Sequence, residues 1–499
     1  VFLFMKNIII NSICFLFCCS NAMAQNELDA LRYSQTQLYG NARSAGYGNA
    51  NGAIGADFGG LSYNPAGIGL YRKSEFVFSP SLKINATKGV FQNNTTTTTN
   101  TKFNVNTFGL VFISKSAENK TYSSWESTGF AIGYNRINDF NINYAYSGAN
   151  NSSTGSSYFS NGANNTNTVD GYSPQYLGYQ SYLVNKNSAG QYLSVVTPGM
   201  PLTQTKEYTQ SGNMNEVVLS FGGNYNNVLM LGATIGIPSI NYNAIRIFTE
   251  RDASGNTNND FESFTYKEKL NTSGTGINLK LGSIVKVNDQ IRLGLAYHTG
   301  SSFAMNDLYA VTLQTHTENL KIKYNDLTGP ITTIQPDKDN NFNYTLITPN
   351  KFIASAAYFI NKNGFVSIDI ENVNYTNMRF KYSSEFASYQ TAVNNKIAMA
   401  YKNSQNYRLG AEWRIENKMF RAGLNLVGNP NKTSEKAFSS IKYALGFGIR
   451  FDQIYLDAAY VLTKNFSQEQ PYTIDGINAP IASINNSMSS LIFSICTKF

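Results

Sequence analysis

From about residue 74 to the C-terminus, apolar and polar positions alternate with a period of two, the pattern of strands that bury or shield one face. In 406–415, Tyr407, Leu409, Ala411, Trp413 and Ile415 face one way and Arg408, Gly410, Glu412 and Arg414 the other. Segments 418–427, 443–451, 277–287 and 291–298 repeat the scheme. The pattern predicts about fourteen strands: 74–86, 102–114, 127–147, 214–225, 228–249, 261–287, 291–316, 341–361, 364–382, 404–415, 418–429, 438–450, 453–464 and 486–499. Splitting 127–147 and 261–287 would raise the count to sixteen.

The connections sort by parity. Very short turns at Asn226-Asn227, Asn288-Asp289-Gln290, Asn361-Lys362-Asn363, Glu416-Asn417 and Asp452-Gln453 all follow even-numbered strands. Longer connections follow odd-numbered strands: 87–101, 148–213, 250–260, 317–340, 383–403, 430–437 and 465–485. Only 115–126 breaks the rule. A soluble sandwich has no reason to sort its loops this way. A membrane barrel, with turns at one rim and loops at the other, does. Several strands exceed the roughly 9–11 residues that cross a bilayer, so the barrel should project beyond the membrane. The expected fold is all-β, a transmembrane antiparallel barrel of about fourteen strands.

Composition agrees. Charged residues make up 14% of the 499 and aromatics 13%, nearly all Tyr and Phe. Soluble domains carry nearer 25% charge, and disordered chains lack the aromatics. The net charge of +8 is scattered singly, which argues against nucleic acid as a partner. Cys14, Cys18 and Cys19 lie in the apolar N-terminal run, leaving Cys496 alone, so neither a disulfide framework nor a thiolate metal site can form. Met5-Lys6-Asn7, the apolar run Ile8 to Cys19 and Ala22-Met23-Ala24 read as a secretory signal peptide over 1–24. The last strand ends on Phe499, resembling the assembly signal of bacterial outer-membrane barrels.

Residues 25–73 do not alternate and are rich in Gly and Ala, without a phosphate-binding GxxxxGK[ST]. A compact small-residue segment ahead of a barrel (residues 74–499) fits a plug within its lumen. Within it, Gly40-Asn41-Ala42-Arg43-Ser44-Ala45-Gly46 and Asp57-Phe58-Gly59-Gly60-Leu61-Ser62-Tyr63-Asn64-Pro65-Ala66-Gly67-Ile68 resemble the N-terminal hatch of FadL/TodX-type transporters. Residues 407–413, 443–448 and 456–460 are similar to strands of that family. The resemblance implies a fourteen-stranded barrel with an N-terminal hatch in a Gram-negative outer membrane. It also implies passive passage of hydrophobic molecules such as long-chain fatty acids: capture by loops, entry to the lumen, and lateral exit where a strand kinks beside the hatch. Asn64, Pro65 and Ala66 match the family's hatch motif. The implied partners are a fatty acid or hydrocarbon ligand, outer-membrane lipid and the barrel assembly machinery. No cofactor is expected, and the chain is expected to be a monomer.

Parts for each step can be named. Loop 148–213 turns apolar at Tyr176, Leu177, Tyr182 and Leu183, which predicts either a ligand groove or a packed cap over the mouth. In 383–403, Phe386, Tyr389, Val393 and Ile397 stand at near-helical spacing, which predicts an amphipathic helix that seals the barrel or touches ligand. Asn135, Arg136, Asn138 and Asp139 interrupt the third strand, at a kink or where the strand leaves the bilayer. Lumen-facing charges include Lys286, Arg292, Asp369, Glu371, Arg408, Glu412, Arg414, Arg421, Arg450 and Asp457. The basic ones near the short turns would hold a carboxylate or the acids Glu27, Asp29 and Asp57; otherwise these charges brace the barrel as internal ion pairs.

Two other functions compare less well with the sequence. The long polar loops also fit a surface adhesion or interaction protein anchored by its barrel. Catalysis has little support: His298 and His316 are the only histidines, and no triad or metal spacing assembles. Asp337, Asp339 and Asn341 open like a calcium loop but lack its Gly and Glu.

Overall fold

A computed structural model describes residues 25–499 apart from 117–123, 167–173, 198, 319–320, 323–324, 327–328, 333–339 and 475–478. The expected signal peptide and Asp337 and Asp339 therefore lie outside the described residues. The alternating segments pair into one closed antiparallel barrel. Its strands are β1 (Glu75–Phe91), β2 (Asn94–Lys115), β3 (Trp125–Asp139 continued by Ile142–Asn150), β4 (Leu202–Tyr225) and β5 (Leu229–Asp252). Next come β6 (Ser263–Lys286), β7 (Ile291–His298 with Ser302–Thr317), β8 (Asn340–Ile347 with Lys351–Ile360) and β9 (Gly364–Asn374). β10 (Asn403–Ile415), β11 (Lys418–Gly428), β12 (Phe438–Phe451), β13 (Ile454–Glu469) and β14 (Ala482–Lys498) complete the wall. β14 pairs with β1, from Glu75 opposite Lys498 to Val90 opposite Ser483, so no edge is left at the seam. Fourteen strands, not sixteen, make the barrel, because 127–147 and 261–287 each follow one course in the wall.

The turns explain the register. Asn226 and Asn227 both take positive φ, 49° and 57°, as a two-residue hairpin requires, and Asn361, Glu416 and Asp452 do the same at their turns. All sit at one rim with both barrel termini. One expectation needs correcting. Residues 87–101 are no loop: β1 and β2 run on together to a turn at Gln92-Asn93, with φ of 47° and 65°. Likewise β4 already starts at Leu202, and β13 and β14 narrow the expected loop 465–485 to 470–481. Above the membrane both faces of a strand are wet, so alternation fades although β-branched residues such as Thr95–Thr99 still favour extended chain.

The outward face carries Leu295, Ile368, Leu409, Trp413, Phe420, Leu445 and Phe493, all exposed. Such a continuous apolar belt is unstable in water and favourable against acyl chains. The inward face holds the charges.

The other rim is roofed by two structures. Loop 151–201 folds into α3 (Ser157–Thr166), α4 (Pro174–Gln180) and a two-stranded ladder, Val184–Lys186 against Tyr192–Ser194. α5 (Ala387–Ala400) is the helix expected in 383–403 and buries Val393 and Ile397.

Candidate functional site

The N-terminal segment forms α1 (Glu27–Ser34), α2 (Ala42–Gly46) and two 3-10 turns, Gly59–Ser62 and Pro65–Leu70. Asn26 caps α1 by accepting from Leu28 and Asp29 amides, while Asp29 returns a bond to the Asn26 amide. Asn64 caps the second 3-10 turn and Pro65 opens it, where a missing N–H costs nothing.

The hydrogen bonds of this segment reach inward residues all round the wall. The Ala42 amide donates to Ser494 of β14 at 2.7 Å, and Ser367 of β9 donates to the Ala50 carbonyl at 3.0 Å. Arg292 of β7 donates to the Ile54 carbonyl at 3.1 Å, and Asn64 donates to the Ser283 carbonyl of β6 at 3.2 Å. The buried His298 makes a 2.8 Å bond to the Tyr63 carbonyl, a structural use of that histidine. Partners on β6, β7, β9 and β14 place residues 42–64 inside the wall.

The wall makes room for it with glycines. A Cβ on Gly109, Gly232, Gly282, Gly294, Gly410 or Gly423 would come within 3.0 Å of the segment, mostly of its backbone. These inward glycines form a girdle where any side chain would displace the segment.

Buried charges brace the contact. Arg421 bridges Glu412 at 2.7 Å and Asp457 at 2.6 Å, and Arg408 pairs with Glu371 at 3.2 Å. Arg408 also donates to the Tyr63 hydroxyl. Glu216 is held by Lys280 and accepts from Ser62 at 3.0 Å. Of the acids expected to meet the basic side chains, Asp29 pairs with Arg32 and Asp57 accepts from Asn41 at 3.0 Å and from the Gly60 amide at 3.2 Å. Internal ion pairing thus accounts for Arg408, Arg414 and Arg421, but not for Lys286, Arg292 or Arg450.

β3 leaves β2 partway up. The β2–β3 ladder ends at Thr107 opposite Asn135, although β2 continues along β1 to Asn94. On its other side β3 stays with β4, with a register shift between Arg136 and Asn138 that leaves Ile137 as the extra residue. The upper part, Ile142–Asn150, pairs with β4 only, while Thr98 of β2 donates to the Asn143 carbonyl at 2.6 Å. A stretch of β2 therefore has no ladder partner on this side.

The N-terminal segment runs along the inside of this break. The Gln37 amide donates to the Ile137 carbonyl at 2.6 Å, the Tyr39 amide to the Arg136 carbonyl at 3.3 Å, and Asn138 to the Gln35 carbonyl at 2.7 Å. Asp139 pairs with Lys83 at 2.8 Å and with Arg136 at 3.1 Å, and Asn135 donates to Ser62 at 2.8 Å. Asn135, Arg136, Asn138 and Asp139 thus lie together against residues 35–39. Asn64, Pro65 and Ala66 lie farther along the wall, against β5 and β6.

Above, α1 sits in an apolar lumen. Tyr33 packs edge-on against Phe140 at 6.1 Å and Tyr242 at 5.8 Å, within a buried cluster that also holds Met214, Ile240, Phe303, Leu346, Phe380 and Ile397. Tyr389 of α5 donates to the Gln25 carbonyl at 2.5 Å. The space left beside Tyr33, Ile137, Phe303 and Met214 is only about 60 Å³, far below the roughly 300–1,000 Å³ of ordinary small-molecule sites.

The six aromatic and leucine loop candidates divide. Leu177 and Leu183 are buried in the cap with Phe159, Phe248 and Phe264, and Tyr176 and Tyr182 lie half-buried beside them. Tyr389 belongs to the lumen cluster, and Phe386 packs on Phe342 at 5.4 Å. Sequence reading missed α1 and residues 35–39 as lining elements. The Asn26–Asp29 capping pattern is the signal that could have located α1.

No protein-family model and no curated protein matches the sequence. Solved structures do. A FadL homologue from Pseudomonas aeruginosa aligns over 92% of this chain and 98% of its own, at TM-score 0.52 and 11% identity. The P. putida toluene transporter TodX aligns over 93% and 99%, at 0.53 and 11%. A TodX variant described as a monoaromatic hydrocarbon channel gives 0.51 at 12% identity, over 92% and 99%. At such identities what is shared is architecture: the chain has the fourteen-stranded barrel fold of the FadL/TodX channels.

Proposed function

We propose that this protein is a passive outer-membrane transporter of hydrophobic molecules, long-chain fatty acids foremost, with residues 25–73 as its hatch. The observation that carries this reading is the break between β2 and β3 above Thr107–Asn135, closed from inside by hatch residues 35–39. A hydrophobic solute gains nothing from a water-filled pore, because each buried CH₂ is worth about 0.8 kcal/mol. A gap in the wall facing the acyl chains offers such a solute a dry exit. The glycine girdle argues for the same route, since it fixes residues 46–69 against the wall and leaves α1 and residues 35–39 as the parts free to shift.

In this mechanism the solute enters beneath the roof and displaces α1 from the cluster around Tyr33. Residues 35–39 then withdraw from β3, and the solute leaves between β2 and β3. Tyr176 and Tyr182 on the cap, with Phe386 and Tyr389 at the lumen roof, provide the surface for capture, and the buried Leu177 and Leu183 hold the cap in shape. The neighbours named as a toluene transporter and a hydrocarbon channel support a hydrophobic cargo. Oleate extends that reading to a longer chain.

The test is uptake of labelled oleate and toluene by cells expressing the wild type or a variant lacking Ile137, which removes the extra residue of the break. Surface-folded variant should take up both several-fold more slowly. Uptake equal to wild type would overturn lateral exit at this break.

A further inference from the structure

The rim that carries the tight turns opens into a vestibule of about 670 Å³ below the hatch. Seven basic side chains line it against two carboxylates, Glu126 and Glu412. Glu412 is already engaged by Arg421 at 2.7 Å, Arg414 at 3.2 Å and Arg43 at 3.9 Å. Arg72, Lys286 and Arg292 take part in none of the ion pairs among the described residues.

Three cations sharing a cavity repel one another, and a fold has no structural need to gather them. Two of them are nonetheless held in place. The Arg292 guanidinium is fixed by the Ile54 carbonyl and stacks on the Phe359 ring at 4.0 Å. Lys286 donates to Asn227 at 2.8 Å. Arg72 enters from the segment that joins the hatch to β1. Ile54, Leu70 and Phe359 give the same cavity an apolar side. Fixed donors beside an apolar wall match an amphiphile with one anionic head: the oxyanion neutralises the cluster and the chain lies along the wall.

We propose that this vestibule is a binding site for a single carboxylate or phosphate head borne on an apolar chain, with Arg72, Lys286 and Arg292 as its donors. It lies on the far side of the hatch from the lumen cluster and does not depend on the transport reading. The head has two sources, a free fatty acid on that side of the membrane or an anionic phospholipid of the adjoining leaflet.

The experiment is calorimetric titration of the purified full barrel in non-ionic detergent with decanoate, decyl phosphate and decanol. The proteins compared are the wild type, the double variant Lys286→Gln/Arg292→Gln and the charge-preserving Lys286→Arg/Arg292→Lys. The neutral double variant should bind both anions at least tenfold more weakly and decanol as before. The charge-preserving variant should stay within about threefold of wild type, which separates lost charge from misfolding. Anion affinity should also fall as salt rises, because exposed charges are screened. Equal anion affinity in wild type and the neutral variant, decanol bound as tightly as decanoate, or equal losses in both variants would overturn the site. Lipid extracted from the purified proteins identifies the source. Anionic phospholipid retained by wild type and depleted in the neutral variant assigns the head to lipid, and decanoate binding without such retention assigns it to a free acid. Oleate uptake that survives in the neutral variant leaves this binding result untouched, and failure of the Ile137 test does not bear on it.

Discussion

Single side chains in this barrel act mainly by how completely they are paired. Arg421 is buried between Glu412 and Asp457, and a buried ion pair adds little net stability while losing one partner costs about 3–5 kcal/mol. Arg421→Met should therefore lower the unfolding free energy by about 3–5 kcal/mol, measured by urea titration with the heat-modifiable gel shift as readout. Glu250 offers a second test. It lies well beyond the 9–11 residues that cross a bilayer from the Leu229 end of β5. There it is buried in the cap, accepting from Thr154, from the Gly155 amide at 2.9 Å and from Gln204 at 2.8 Å. Burial pushes its carboxyl up to about 7, with the three donors opposing the shift only in part. The closed cap thus holds a proton that the open, solvated carboxylate near its ordinary value of 4.5 has released. Cap stability is full below that value and falls as pH rises through about 7. Hydrogen exchange of 151–201, corrected for intrinsic rate, should show faster opening at pH 8 than at pH 6. Glu250→Gln should flatten this dependence.

At the scale of elements, α1 fills part of the lumen. Its Ala30 and Tyr33 complete an apolar cluster drawn mainly from the strands and α5. Removing residues 25–34 should empty a cavity large enough for an acyl chain, speed entry of a hydrophobic fluorescent probe into liposomes carrying the barrel, and lower the melting temperature. Unchanged probe entry would mean that α1 does not limit access. The same scale shows where sequence pattern stops informing. α5 was legible because Val393 and Ile397 recur at helical spacing, and the short turns because Asn and Asp tolerate positive φ. Asn135, Arg136, Asn138 and Asp139 interrupt the alternation of β3, a pattern that fits a kink and a strand leaving the bilayer equally well. The direction in which β3 departs was not visible, because it depends on β2 continuing along β1 while β3 follows β4.

For the whole molecule, residues 25–71 pack against the inner wall beneath the roof. Such a barrel should conduct ions poorly in a planar bilayer, and a variant lacking residues 25–73 should conduct at least tenfold better if it still folds. Equal conductance would mean that the segment does not close the lumen. Pattern along the chain carries the strand number within two, the short turns of one rim and the outward apolar belt. Each follows from local rules: a pleat of period two, turn chemistry, and the cost of polar groups against lipid. Folding alone brings the inward glycines against residues 47–66, joins Arg421 to two acids, and gathers Arg72, Lys286 and Arg292 in one vestibule. Those facts arise from residues hundreds of positions apart meeting across a closed wall, and one-dimensional pattern carries no record of which faces meet.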